Sequence, residues 1–190
     1  MSDLFAQVYE ATKTTYAEVW NDLDKVQWIA SHFIHLATNE ILEENYRDAR
    51  IDAMSSFFFE QWATLMVHEN GTQTCNWGSF VTLCDWTKMS ELYDGDEHTL
   101  VSFCRKRIPC KCLDKKYKEV KWITKIGFCC YEDCTLPGNK TVRSKMLYCS
   151  QCRNANYCSR ECQVAHWPSH KEICAVAANM LTARKSRQKK

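Results

Sequence analysis

Apolar residues in the first third of the chain recur at helical spacing. Phe5, Val8, Tyr16, Val19 and Leu23 form one run, with Thr12 in its gap. Val26, Ile29, Phe33 and Leu36 form a second, and Ile51, Met54, Phe58, Trp62 and Leu65 a third. Three amphipathic helices in a small bundle are expected, with a stop at Asn70-Gly71, where glycine accepts the left-handed backbone of a helix end. No proline precedes Pro109 to break the pattern. The aromatic stripe Phe57, Phe58, Phe59 and Trp62 reads as core packing and not as a ligand box, because aromatic side chains dominate core burial. Ser79 to Tyr93 reads as a further helix with Phe80, Leu83 and Trp86 on one side. Asp94-Gly95-Asp96 is a turn, and a short helix leads into Arg105-Lys106-Arg107. Over 104–127, Leu113, Tyr117 and Val120 make an apolar stripe, with Lys111, Lys115, Lys118 and Lys125 on other faces. Such a basic amphipathic helix packs on the bundle by its stripe, or stays open to a partner helix, a membrane surface or nucleic acid.

Past position 128 the pattern changes from helical periodicity to cysteine spacing. Residues 129–174 hold eight of the chain's 13 cysteines and two of its six histidines. They come in pairs: Cys129 or Cys130 with Cys134, Cys149 with Cys152, Cys158 with Cys162, and His170 with Cys174. A short turn between two cysteines brings both sulfurs to one point, and His170 and Cys174 share a helical face at i, i+4. Eight such donors fill two tetrahedral zinc sites.

Charge is balanced in total, +2, but not along the chain. Residues 1–100 carry 17 acids against 5 bases, and residues 101–190 carry 6 against 20, so the halves are −12 and +14. The two halves either attract one another or present two solvated faces. No apolar run approaches the ~18 residues of a membrane span, so no membrane association is expected. The first 30 residues lack a basic-then-apolar export pattern. An intracellular protein of nucleus or cytoplasm is expected, with its thiols reduced and metal-bound in place of disulfides. Cys104, Cys110 and Cys112 could open a third metal site, with His98, Cys75 or Cys84 completing it, although buried free thiols are commoner. The tail LTARKSRQKK has five basic side chains and no acid, either a phosphate-binding or import segment or a frayed end.

The segment 129–174 resembles a MYND-type zinc finger. Its marks are Cys149-Ser150-Gln151-Cys152, Tyr157-Cys158, Cys162, His170 and Cys174, with Gln163, Trp167 and Lys171 alongside. The resemblance implies interleaved ligands. One zinc takes Cys129 and Cys134 with Cys158 and Cys162, and the other takes Cys149, Cys152, His170 and Cys174. The first pair departs from the usual two-residue gap, since Cys129 leaves four intervening residues and Cys130 three; Cys129 is favoured. His166 has the spacing of a ligand in the related HIT-type finger, but His170 is preferred for its i, i+4 pairing with Cys174. Pro168 is expected to end one helix and open the next.

All eight donors are protein atoms, so neither ion keeps a position open for water and both zinc ions are structural. No glycine-rich phosphate loop, HExxH or Gly-x-Ser-x-Gly occurs elsewhere, and no enzymatic activity is expected. The resemblance instead implies docking of short proline- and leucine-containing peptides, with Ser150, Gln163 and Trp167 at the matching groove positions. The expected fold is mainly α: a helical domain of unassigned role over 1–103, a basic connecting helix over 104–128, the finger over 129–174, and a helix end and basic tail over 175–190. The expected function is that of an adaptor for proline-rich segments of other proteins. A nucleic-acid-associated regulator using the basic half is the alternative. A lysine methyltransferase that carries this finger would need Asn-His and Gly-Glu motifs that are absent.

Overall fold

The computed structural model describes the backbone of residues 2–68 and 76–187 and the side chains of 3–67 and 76–179. Asn70-Gly71, Cys75 and residues 188–190 of the tail lie outside the described residues, as do the tail's side chains. The first expected helix is divided into α1 (Ser2–Thr12) and α2 (Ala17–Trp20). Thr12 in the gap of the pattern is the reason: its Oγ1 accepts the Trp20 indole N–H at 3.0 Å, which turns Trp20 inward. Val8 and Tyr16, from the expected stripe, stay exposed.

The long pair α3 (Leu23–Leu42) and α4 (Tyr46–His68) carries the core. Asp22 starts α3 by accepting the Lys25 N–H, the usual duty of an aspartate at a helix start. The chain reverses through Glu44, which takes a left-handed backbone at φ 63°. Ala30, Ala37, Ala49 and Ala53 are all buried, and their small side chains let the two backbones approach. Ser56 Oγ bonds Ala30 O across the pair at 2.8 Å. Phe57, Phe58 and Trp62 are buried as expected and Phe59 packs against them. The Trp62 indole N–H donates to Trp20 O at 3.0 Å, so even this fully buried polar group is satisfied.

Ser79 to Tyr93 forms two helices instead of one, α5 (Trp77–Leu83) and α6 (Trp86–Tyr93). Cys84 turns extended, and Asp85 restarts the helix by accepting the Lys88 N–H at 2.9 Å. Asp96 caps α7 (Glu97–Arg105) in the same way. The basic helix α8 (Lys111–Val120) packs by its stripe, with Leu113 and Val120 buried and Tyr117 partly so. Two antiparallel ribbons follow: β1 (Ile126–Phe128) with β2 (Lys140–Val142), and β3 (Leu147–Tyr148) with β4 (Asn156–Tyr157).

The last helix, α9 (Arg160–Arg187), runs unbroken through Pro168, contrary to the expected division there. Pro168 cannot donate to the carbonyl one turn earlier. That carbonyl belongs to Val164, an exposed residue that water can reach, and Ser169 Oγ satisfies the neighbouring His166 O at 3.0 Å. Buried apolar residues form two clusters, one drawn from Trp20 to Val120 and one from Cys129 to Ala177. Polar contacts join them. Glu91, almost fully buried, binds Arg143 at 2.7 Å and Lys88 at 3.1 Å. Asp96 Oδ2 accepts the Ile126 N–H at 2.7 Å, and Lys140 pairs with Asp94. The acidic half thus attracts the basic one at particular residues.

Candidate metal centre

Three of the four donor pairs are set by short turns, and the fourth, His170 and Cys174, by a helix. Cys129 leaves β1 with its N–H on Asn139 O, and Asn139, at φ 57°, returns its side-chain amide to Cys129 O and Tyr131 O. Cys134 closes its turn on Tyr131 O. The β3–β4 ribbon holds Cys149 and Cys152 in the turn at its tip, where Cys149 N–H bonds Ala155 O and Arg153 N–H bonds Cys149 O. Arg153 there adopts φ 56°, and Asn154 N–H donates to Cys152 Sγ at 3.4 Å. Cys158 follows β4. Ser159 Oγ accepts the Cys162 N–H at 3.3 Å and so starts α9, which carries Cys162, His170 and Cys174.

These turns gather two sets of donors, Cys129, Cys134, Cys158 and Cys162, and Cys149, Cys152, His170 and Cys174, with the donor atoms of each set within 4.8 Å of one another. Zinc–sulfur bonds of about 2.3 Å put tetrahedral sulfurs about 3.8 Å apart. Cys134 and Cys162 each stand 3.5 Å from Cys158, Cys149 stands 3.6 Å from Cys174, and Cys152 Sγ stands 3.5 Å from His170 Nε2. Sets of four sulfurs, and of three sulfurs and an imidazole, at that spacing fit two structural zinc ions. The second set is wholly buried; in the first only Cys129 is. Burial pushes the His170 imidazole below its ordinary value, which favours the neutral form that a metal needs. The four pairs interleave, as the resemblance implied.

The open choices are resolved by neighbours. Cys130 stands outside both sets: its Sγ meets Thr87 Oγ1 at 2.9 Å and accepts the Asn156 N–H at 3.3 Å. Burial pushes its thiol up, so it stays protonated and joins the finger to α6. His166 is held by the Tyr157 hydroxyl at 3.0 Å and lies against the His170 ring without entering a set. No third set forms among the described residues. Cys110 and Cys112 lie side by side at the start of α8, their Cα atoms 5.3 Å apart, and Cys104 is buried in the helical core with its thiol pushed up to about 12. Nothing in the spacing signalled the Thr87–Cys130 contact or the buried Glu91–Arg143 pair, since both join residues far apart in the chain.

Of the expected groove residues, Ser150 is exposed at the ribbon tip beside Cys149. Trp167 is 46% exposed on α9, its ring 6.0 Å from that of His170. Both therefore border the second set. Gln163 is half-buried, and its Oε1 accepts from Arg160 at 2.7 Å. Leu147, Tyr148 and Val164 are exposed as well.

A model of the MYND finger family matches residues 129–174. The histone-lysine N-methyltransferase SMYD3 of Homo sapiens is 53% identical over 32 residues, which cover 17% of this chain and 8% of that protein. The SMYD3 of Mus musculus is 48% identical over 33 residues, again 17% of this chain and 8% of the relative. The match thus spans under a tenth of the relatives' length. No solved structure matches the chain. Among the described residues no helix is long and apolar enough to cross a membrane. Residues 129–174 match the MYND finger, a zinc-binding protein-interaction module, and the likeness is of that segment.

Proposed function

We propose that the chain is a non-catalytic adaptor whose finger docks short proline- and leucine-containing segments of other proteins on the surface around Trp167. The observation that carries the reading is the exposure of this indole on a helix pinned by two closed donor sets. A rigid, flat apolar platform binds a preformed polyproline-type strand at small entropic cost. The β3–β4 ribbon has two strands, so among the described residues β3 has an edge without a strand partner, to which a peptide backbone can add, with Leu147 and Tyr148 exposed beside Ser150. Gln163 contributes after its amide is released from Arg160. Four protein donors leave neither ion a position for substrate, which supports the absence of catalysis. Methyl transfer, named for the SMYD3 relatives, is not part of the reading, because the shared segment is the finger.

The test is a titration of the zinc-loaded chain with fluorescent proline- and leucine-containing peptides. Trp167→Ala is expected to weaken binding about tenfold or more, as loss of an aromatic anchor does, while zinc content stays at two ions per chain. Equal binding by the two proteins, or none by either, overturns the reading.

A further inference from the structure

We propose that the outer strip of α8, formed by Lys111, Lys115 and Lys118 and continued by Lys121 and Trp122, binds single-stranded nucleic acid, its lysines on successive phosphates and the Trp122 indole under a base. The inference is independent of the peptide reading, because it rests on α8 and the turn after it.

Lys111, Lys115 and Lys118 follow at i, i+4 and i+7 and are all exposed, so they line one side of the helix over about 10 Å. The two acids of α8 do not neutralise them: Asp114 is paired with Arg105, and Glu119 with Lys116. Lys111, Lys115, Lys118, Lys121 and Lys125 make no ion pair among the described residues, so the strip is an uncompensated cationic track. At its end Trp122 is 81% exposed, more than any other large hydrophobic side chain described. Lys121 Nζ lies over one face of the indole, 4.5 Å from its centroid, so a base stacks on the opposite face while that cation stays within reach of the backbone phosphate. Cations in a row ending at an exposed aromatic side chain are the elements of a sequence-tolerant single-strand site.

A membrane fits less well. An interfacial helix needs an apolar face to sink among the lipids, and Leu113 and Val120, the apolar face of α8, are already buried against the bundle. Duplex fits less well too, since its bases are stacked on one another and leave the indole idle.

The test is fluorescence anisotropy of a labelled fifteen-residue oligo-dT and its oligo-U equivalent with the full zinc-loaded chain. The expected log K against log salt is linear with a slope of about −0.7 for each phosphate neutralised, and each of Lys115→Gln and Lys118→Gln lowers that slope by one such step. Trp122→Ala is expected to weaken binding about five- to a hundred-fold, and Trp122→Phe to restore most of the loss. Zinc content and far-ultraviolet circular dichroism, unchanged in every variant, show that folding is retained. Four results would overturn the proposal. They are no binding at low salt, equal binding of base-free polyphosphate, tighter binding of phosphatidylserine vesicles or duplex than of the oligonucleotide, and binding lost only when the basic residues of the tail are replaced.

Discussion

Cys129 and Cys130 are one peptide unit apart just past the end of β1, and adjacent side chains leave the backbone in different directions. Cys129 therefore turns to Cys134, Cys158 and Cys162, and Cys130 to Thr87 on α6. Cys129→Ser is expected to lower zinc content from two ions per chain to one. Cys130→Ser should keep both and cost about 1 kcal/mol through the altered contact. Metal analysis of the two purified variants decides the matter, and the opposite pattern would exchange their roles. Spacing left this choice open because four or three intervening residues can both close a chelate. Thr87, 43 positions upstream, breaks the tie. His166 and His170 were separated likewise, by the Tyr157 hydroxyl that holds His166. The remaining six donors were legible in the sequence because each pair is a local event, closed within a few residues.

At the scale of elements, local signals fared unevenly. The long periodic runs of α3 and α4 were readable because one face is buried over many turns. The breaks at 13–16 and 84–85 were not, because side chains make them: Trp20 reaching back to Thr12, and Asp85 taking the Lys88 N–H. Asp85 also sets a pH dependence. Burial, with nearby Glu91 adding to it, pushes its carboxyl up to about 6. An unfolded Asp titrates near about 3.9, so between those values the folded chain binds more protons than the unfolded one and stability falls as pH rises. Asp85→Asn keeps a side-chain oxygen for the helix start and removes the partly buried charge. It is expected to raise unfolding free energy at pH 7 by about 1–2 kcal/mol, a gain that shrinks towards pH 4. Urea unfolding of both proteins across that range measures the difference, and no gain at pH 7 would mean that water reaches the carboxylate.

For the whole molecule, the separation of the two buried clusters implies two responses to metal loss. The finger's cluster is mostly cysteine with Ala155, Tyr157 and Ala177, too little apolar surface to hold a fold without its ions. The helical cluster has Trp62, Phe58, Phe80 and Leu100 fully buried and needs no metal. Exhaustive chelation is expected to abolish the structure of 129–174 while most of the helical circular dichroism persists. Collapse of both together would instead mean that Glu91 and Arg143 make them one cooperative unit. The charge asymmetry was visible from composition, but the partners Glu91, Asp94 and Asp96 were not, since only the fold brings them to Arg143, Lys140 and Ile126. The interleaving of the donors has a further effect while the chain is being made. A protein emerges from the ribosome from its N-terminal end, and the first donor set is complete at Cys162, before the second, which waits for Cys174. Nascent Cys149 and Cys152 therefore spend an interval as an unfinished pair already enclosed by a finished one, and a chain stopped before Cys174 keeps one ion and two unsatisfied thiols.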